Sequence, residues 1–242
     1  MPLLSVRNLT RRFGGILALD GVSFDVDEGE VVGLIGLNGA GKTTAFNCIS
    51  GLHRPDAGEV VFAGRPLTRK APHRVVRHGI ARTFQNVELF RTMSVLDNVL
   101  VGTHARLGWG RGHRARQRAA AVLDYVGLAG LTDRRVDGLP FETQKRVELA
   151  RALAAAPRLV LLDEPAGGLD HDEVEALARL LRGLHGDRGV TVLVVEHHLN
   201  LVMTISDRVY VLDFGRRIAA GTPDEVRGDS AVIEAYLGEA EE

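Results

Sequence analysis

The chain has 242 residues, 45% hydrophobic and 25% charged, enough to fill one sizeable globular domain or two lobes sharing a core. Its 30 Lys and Arg nearly balance 31 Asp and Glu, a formal net charge of −1, so there is no global positive field to hold DNA or RNA and no nucleic-acid partner is expected. The single cysteine, Cys48, excludes an internal disulfide and a cysteine-based zinc site, which fits a reducing compartment.

In chain order, the first readable elements are short β-type runs at residues 4–9, 22–26 and 30–35. Met1-Pro2-Leu3-Leu4-Ser5-Val6 places no basic region before a long apolar stretch, so no cleavable signal is expected. The third run leads into Gly36-Leu37-Asn38-Gly39-Ala40-Gly41-Lys42-Thr43, and a helical run follows at 44–49. This is the phosphate-loop pattern with both required flanks, a strand before and a helix after. Glycines let successive backbone N–H groups turn toward phosphate oxygens, and the helix adds its positive N-terminal end. Asn38, Gly39, Ala40, Gly41, Lys42, Thr43 and Thr44 are therefore candidate nucleotide-binding residues. Lys42 supplies a point charge to the β and γ phosphates, and the Thr43 hydroxyl is a ligand for Mg²⁺. Cys48 falls on the buried side of the helix as a small core residue.

A further β-type run at 59–62 is followed, beyond Phe84, by apolar residues at helical intervals: Val95, Val99 and Leu100, then Ala121, Val122 and Val126, then Val147, Ala150, Leu153 and Ala154. An α lobe thus interrupts an α/β core. Within it, residues 104–118 hold Arg106, Arg111, Arg114, Arg116, Arg118 and the only tryptophan, Trp109. A solvated loop running into an exposed helix face is the favoured reading, with contact to lipid headgroups or a membrane partner as the alternative. The apolar run 159–162 delivers Asp163-Glu164 to the end of a buried strand, where nucleotides bind in such sheets. Asp163 is the expected holder of Mg²⁺, directly or through water, and Glu164 the general base on the attacking water. Lysine occurs only at 42, 70 and 145, so the guanine-reading Asn-Lys-x-Asp pattern is absent. Strands at 190–196, 209–212 and 217–220, then helix starts at Thr222-Pro223-Asp224-Glu225 and Asp229, complete the chain. No apolar run approaches the roughly 20 residues that cross a bilayer.

Phe13, Gln85 within Thr83-Phe84-Gln85-Asn86, Gly168-Leu169-Asp170 and His197 fall in an order that, with the phosphate loop and the Asp163-Glu164 strand, resembles the ATP-binding-cassette (ABC) ATPases over almost the whole chain. Arg12-Phe13-Gly14-Gly15, residues 79–85, Leu89-Phe90-Arg91, Val195-Glu196-His197, Ile205-Ser206-Asp207-Arg208 and the ending Ala235-Tyr236-Leu237-Gly238-Glu239 look like the larger ATPase subunit of branched-chain amino-acid importers. Importers of urea or other amides and the lipopolysaccharide-export ATPase share parts of this pattern. The resemblance implies an α/β fold, a RecA-like P-loop NTPase core with an antiparallel β subdomain over residues 1–85 and 158–242, and an inserted α-helical subdomain over 86–157. It implies ATP and Mg²⁺ as cofactors, Phe13 stacked on adenine, Gln85 joining the Mg²⁺ site to the helical lobe, His197 as the switch histidine beside Glu164 and Lys42 in catalysis, and Asp170 at a dimer contact. The implied partners are a second ATP-binding subunit, identical or different, two transmembrane permease subunits and an extracytoplasmic solute-binding protein. The implied location is the cytoplasmic face of the membrane, held peripherally.

One motif departs from the family. Where these ATPases carry Leu-Ser-Gly-Gly-Gln, the chain has Leu139-Pro140-Phe141-Glu142-Thr143. Pro140 suits the first helical turn and Glu142 the helix dipole. The missing serine and second glycine are the groups the family uses on the opposite subunit's γ-phosphate, and a carboxylate at Glu142 would repel it by roughly 3 kcal/mol at about 5 Å and a dielectric near 20. A non-transporting ABC scaffold or regulator is accordingly the rival class. Soluble ABC proteins of translation or repair normally need two cassettes or a long coiled coil, and neither is present.

Overall fold

The computed structural model describes residues 1–107 and 112–237; Trp109 and Arg111 of the arginine-rich stretch and Gly238-Glu239 of the terminal motif lie outside them. Alternating burial sets the first sheet. β1 (Leu4–Phe13) pairs antiparallel with β2 (Ile16–Val26). β3 (Val31–Ile35) is buried at every position, as a central parallel strand must be, and leads through the phosphate loop into α1 (Lys42–Ile49). β4 (Ala57–Phe62) and β5 (Arg65–Pro66) complete the first sheet in the order β2-β1-β4-β5. α2 (Pro72–His78) begins on a proline and ends on Gly79, and β6 (Ile80–Arg82) follows at once.

Next come α3 (Val95–Leu107), α4 (Gly112–Tyr125) and α5 (Phe141–Ala154), then β7 (Leu159–Asp163), α6 (His171–Arg188), β8 (Thr191–Val195) and α7 (Leu199–Ile205). β9 (Arg208–Asp213), β10 (Arg216–Gly221), α8 (Pro223–Arg227) and α9 (Ser230–Leu237) end the described chain. Thr222 and Glu225 form a reciprocal capping box at the start of α8. The second sheet has the order β10-β9-β3-β8-β7-β6, parallel throughout except for the antiparallel edge strand β10.

The period-2 alternation of the central strands divides the core. Leu159, Leu161, Leu193 and Val195 face one cluster with Phe24, Phe46 and Phe62, so that α1 lies between the two sheets. Val160, Leu162, Val192 and Val194 face a second cluster with Val99, Leu123, Val147 and Leu181 from α3, α4, α5 and α6. Burial on both faces explains why these strands read as unbroken apolar runs. Ile35, Val209 and Val211 meet Val202, Val226 and Val232 in a third cluster under α7, α8 and α9. Cys48 is buried in the first cluster, and burial pushes its thiol up to about 11, as a core residue rather than a reactive one requires. Among the described residues no helix is long and apolar enough to cross a membrane.

α3 and α5 approach closely at Gly102, where an added Cβ would lie 2.0 Å from the Arg151 carbonyl oxygen. Gly102→Ala gains helix propensity but forces these backbones apart, so a net loss of about 1–3 kcal/mol is expected, seen as a melting midpoint several degrees lower. An unchanged or raised midpoint would show that the two helices can separate without cost.

Candidate active site

The phosphate loop departs from β3 and returns as α1. Gly41 stands at the N-cap of α1 with φ +99°, and an added Cβ there would lie 2.5 Å from the Ala18 carbonyl oxygen, so only glycine fits. The first turn of α1 has no side-chain cap and no acidic residue, which leaves its N–H groups and its positive end for an anion. Asn38, Gly39 and Thr43 are exposed, Thr44 is half-buried and Ala40 is buried. Lys42 is buried, and its Nζ donates to the Gly36 and Leu37 carbonyl oxygens at 2.6 and 2.8 Å. Burial lowers its pKa, while Glu164, Asp163 and Glu196 act in the opposite sense and favour its charge.

Asp163 emerges from β7 into a buried ion pair. Its Oδ2 accepts from Arg82 Nη2 at 2.6 Å, and Arg82 Nη1 also donates to Asn47 Oδ1 and Ser50 Oγ, which locks β6, α1 and β7 together. Asp163 Oδ1 is buried and has no hydrogen-bond partner among the described residues. An orphaned carboxylate oxygen beside the phosphate loop is the donor a hard divalent cation takes, so the residues fit Mg²⁺. Burial raises the Asp163 pKa, with Arg82 opposing.

Glu164 takes a left-handed conformation, φ +47°, which costs a non-glycine residue about 1–3 kcal/mol. Its N–H donates to the Val195 carbonyl oxygen at 2.8 Å, and its Oε2 accepts from Gln85 Nε2 at 2.8 Å. His197 Nδ1 lies 3.7 Å from Glu164 Oε2 and 3.8 Å from Glu196 Oε2, close enough to share their field without a hydrogen bond. The structure therefore joins Lys42, Gln85, Asp163, Glu164 and His197 in one cluster.

Three contributors went unassigned in the sequence reading. Glu196, fully buried, accepts the N–H groups of Ala166, His197 and His198 at 2.6, 3.1 and 3.3 Å and staples the loop after β7 to the loop after β8. Glu148 on α5 is buried and accepts the N–H groups of Phe84 and Glu88 on either side of Gln85, while Arg151 donates to the Glu88 carbonyl. Burial raises the Glu148 pKa. Arg82 is the third. Only Glu196 carries a signal in the sequence, an ionisable residue directly behind an apolar strand, where a charge needs a partner; Glu148 sits on a helix and Arg82 ends a strand of three residues.

The remaining expected positions lie around this cluster. Phe13, at the exposed end of β1, carries the Arg11 guanidinium 4.6 Å from its ring centroid and packs edge-on against His53. Pro140 is the N-cap of α5 rather than a first-turn residue, a correction that leaves the first-turn N–H groups without a side-chain cap. Thr143 is half-buried in that turn. The Glu142 carboxylate pairs with Arg146 one turn on, so the bare repulsive charge expected from the sequence is compensated. Asp170 accepts the N–H of Glu173, and Glu173 the N–H of Asp170, each at 2.9 Å, so its side chain caps α6.

A phosphate loop beside a buried strand-end carboxylate, with α5 bonded to the segment that carries Gln85 and to the loop that carries Glu164, defines a P-loop nucleotide-binding protein. Residues 19–167 match the family described as ABC transporter, and 216–242 the family described as branched-chain amino acid ATP-binding cassette transporter. The chain is 42% identical over 252 aligned positions to the high-affinity branched-chain amino acid transport ATP-binding protein LivG of Salmonella typhimurium, and equally to BraF of Pseudomonas aeruginosa, with 99% of each chain covered. The crystal structure of the ADP conformation of MJ1267, an ATP-binding cassette of an ABC transporter, matches with TM-score 0.89 and 33% identity over 98% of this chain and 99% of that one. The dimeric post-hydrolysis structure of the cassette MJ0796, bound to ADP and Pi, matches with TM-score 0.81 and 29% identity over 91% of this chain and 98% of that one. The chain belongs to the ABC transporter family and is one of its ATP-binding cassettes, an ATPase.

Proposed function

We propose that this chain hydrolyses ATP to drive import of branched-chain amino acids, as one cassette of a head-to-tail dimer docked on two permease subunits and served by an extracytoplasmic binding protein. The observation that carries the chemistry is the Glu164 carboxylate, oriented by Gln85 one residue beyond Asp163 and within the field of Lys42. The match of residues 216–242 to the branched-chain family supports the solute class. Residues 86–157 would form the helical subdomain, on a core of 1–85 and 158–242.

In this reading ATP phosphates lie along residues 38–44, with Phe13 against adenine. Thr43, Gln85 and Asp163 would hold Mg²⁺, which when bound offsets charge on the phosphates. Lys42 gives up its carbonyl partners to phosphate oxygens. Glu164 accepts a proton from the attacking water, and His197 stabilises the developing charge from the neighbouring loop. Residues 140–143 and Asp170 would face the partner cassette. Pairing of Glu142 with Arg146 supports a working interface and narrows the case for a non-transporting scaffold to the missing serine and glycine.

The reading is tested by purifying the tagged chain from detergent-solubilised membranes. Two permease subunits and a second cassette are expected with it, and recovery with neither would count against transport. At the interface, Arg146→Gln unmasks the Glu142 charge and should weaken ATP-driven dimerisation by up to about tenfold at low salt, less at high salt, with Glu142→Gly restoring it. Dimerisation that is indifferent to both changes would place Glu142 away from the partner's nucleotide.

A further inference from the structure

Lys145 lies on α5, facing the loop that follows β7. Its Nζ donates to the main-chain oxygens of Glu164 and Pro165, both at 3.1 Å. It also stands 5.3 Å from the ring centroid of Phe141, one turn earlier on the same helix face. Phe141 in turn covers Gly168, where an added Cβ would lie 3.0 Å from the ring. Two residues spaced i, i+4 on α5 thus grip the loop 164–168 that follows β7.

That loop begins with the strained residue. Glutamate holds a left-handed φ only where its surroundings over-determine it. The N–H of Glu164 is tied to Val195 at 2.8 Å, and its carbonyl oxygen accepts the Gly167 N–H at 3.1 Å. The Gly167 bond closes the turn on one lone pair of that oxygen. Lys145 is a second donor to it and bonds the carbonyl of the next peptide as well, so the peptide between Glu164 and Pro165 cannot rotate without breaking an ammonium bond, and the peptide after it is tied to the same cation. Glu196, Glu148 and Glu164 surround the ammonium and hold its charge against the burial that lowers its pKa. A half-buried ammonium satisfied by two consecutive main-chain carbonyls serves backbone geometry rather than substrate contact.

We propose that Lys145 is a positioning residue: by bridging the Glu164 and Pro165 carbonyl oxygens it keeps Glu164 in the conformation that presents its carboxylate to Gln85, and so ties the first turns of α5 to ATP hydrolysis. The inference rests on the reading of Glu164 as general base.

The test is a double-mutant cycle on the purified transport complex, using steady-state and single-turnover hydrolysis. Lys145→Met should lower kcat by about 10- to 100-fold, the scale set by small misplacement of a catalytic group, with the KM for ATP within about twofold of the parent. Lys145→Arg, which keeps a cation able to reach both carbonyls, should restore most of the rate. In a Glu164→Gln background Lys145→Met should cost nothing further, because the group it positions is gone. A parental kcat in Lys145→Met, or an equal loss in both backgrounds, would overturn the proposal. If Lys145→Met melts early, Lys145→Gln, which keeps an N–H donor group without the charge, is read in the same cycle, and the same non-additivity decides. Parental turnover by Glu164→Gln alone would instead remove the general-base reading, so the two failures are distinguishable.

Discussion

Glu164→Gln is expected to slow ATP hydrolysis about 10²-fold or more while ATP and Mg²⁺ still bind. Acid/base catalysis by a placed side chain contributes on this scale, and the amide keeps the shape and the acceptor oxygen of the carboxylate while losing its basicity. The Gln85 bond to that side chain at 2.8 Å can be made to either group, so positioning should survive. Binding should survive because Lys42 and Asp163 are untouched, and the left-handed backbone at 164 is held by main-chain bonds that the change leaves in place. Nucleotide affinity and turnover of the purified complex check this together. Equal turnover in mutant and parent would reject Glu164 as the base.

Arg82→Ala is expected to destabilise the fold by about 3–5 kcal/mol, the cost of removing one partner from a buried ion pair. The side chains of Arg82 and Asp163 are only 8% and 3% exposed, so water cannot replace the guanidinium. The loss should depend on pH in a definite sense. Burial already raises the Asp163 pKa above its ordinary 3.8, and Arg82 opposes that rise, so its removal raises the folded-state value further. The native variant then keeps a proton that the unfolded chain releases, and its stability falls as pH climbs from about 4 through the folded pKa. The deficit relative to the parent should be smaller near pH 4 than near pH 8. Denaturant melts at the two pH values measure it. A deficit independent of pH would assign the loss to packing instead, since Arg82 also lies over the rings of Phe46 and Phe84.

What could be read without coordinates divides along physical lines. The strand 159–163 was placed to the residue because burial on both faces leaves an uninterrupted apolar run, and the phosphate loop because its glycines answer a local backbone demand. β6 was not seen: three residues carry no periodicity, and only pairing with β7 makes them a strand. The seven-residue α2 was missed for the same reason, although Pro72 and Gly79 mark its two ends. β1 and β2 run further than their apolar patterns, because the pairing continues past the buried segment to Phe13 and Ile16.

In the site, the residues that touch phosphate in the proposed reading were legible, whereas those that hold them were not. Arg82, Glu196, Glu148 and Lys145 act through partners distant in sequence, and composition shows only that a charge sits in an apolar setting. Glu142 is the instructive case. Its partner Arg146 stands four residues on, and helical spacing alone predicts their pairing.

Import driven by this cassette is tested most directly by reconstituting it with its permease subunits in lipid vesicles and measuring ATP hydrolysis with and without the solute-binding protein loaded with leucine, isoleucine or valine. Loaded binding protein is expected to raise hydrolysis several-fold above the basal rate, and Glu164→Gln to abolish both the stimulation and ATP-dependent uptake. Hydrolysis indifferent to the loaded binding protein, with no amino acid entering the vesicles, would contradict it.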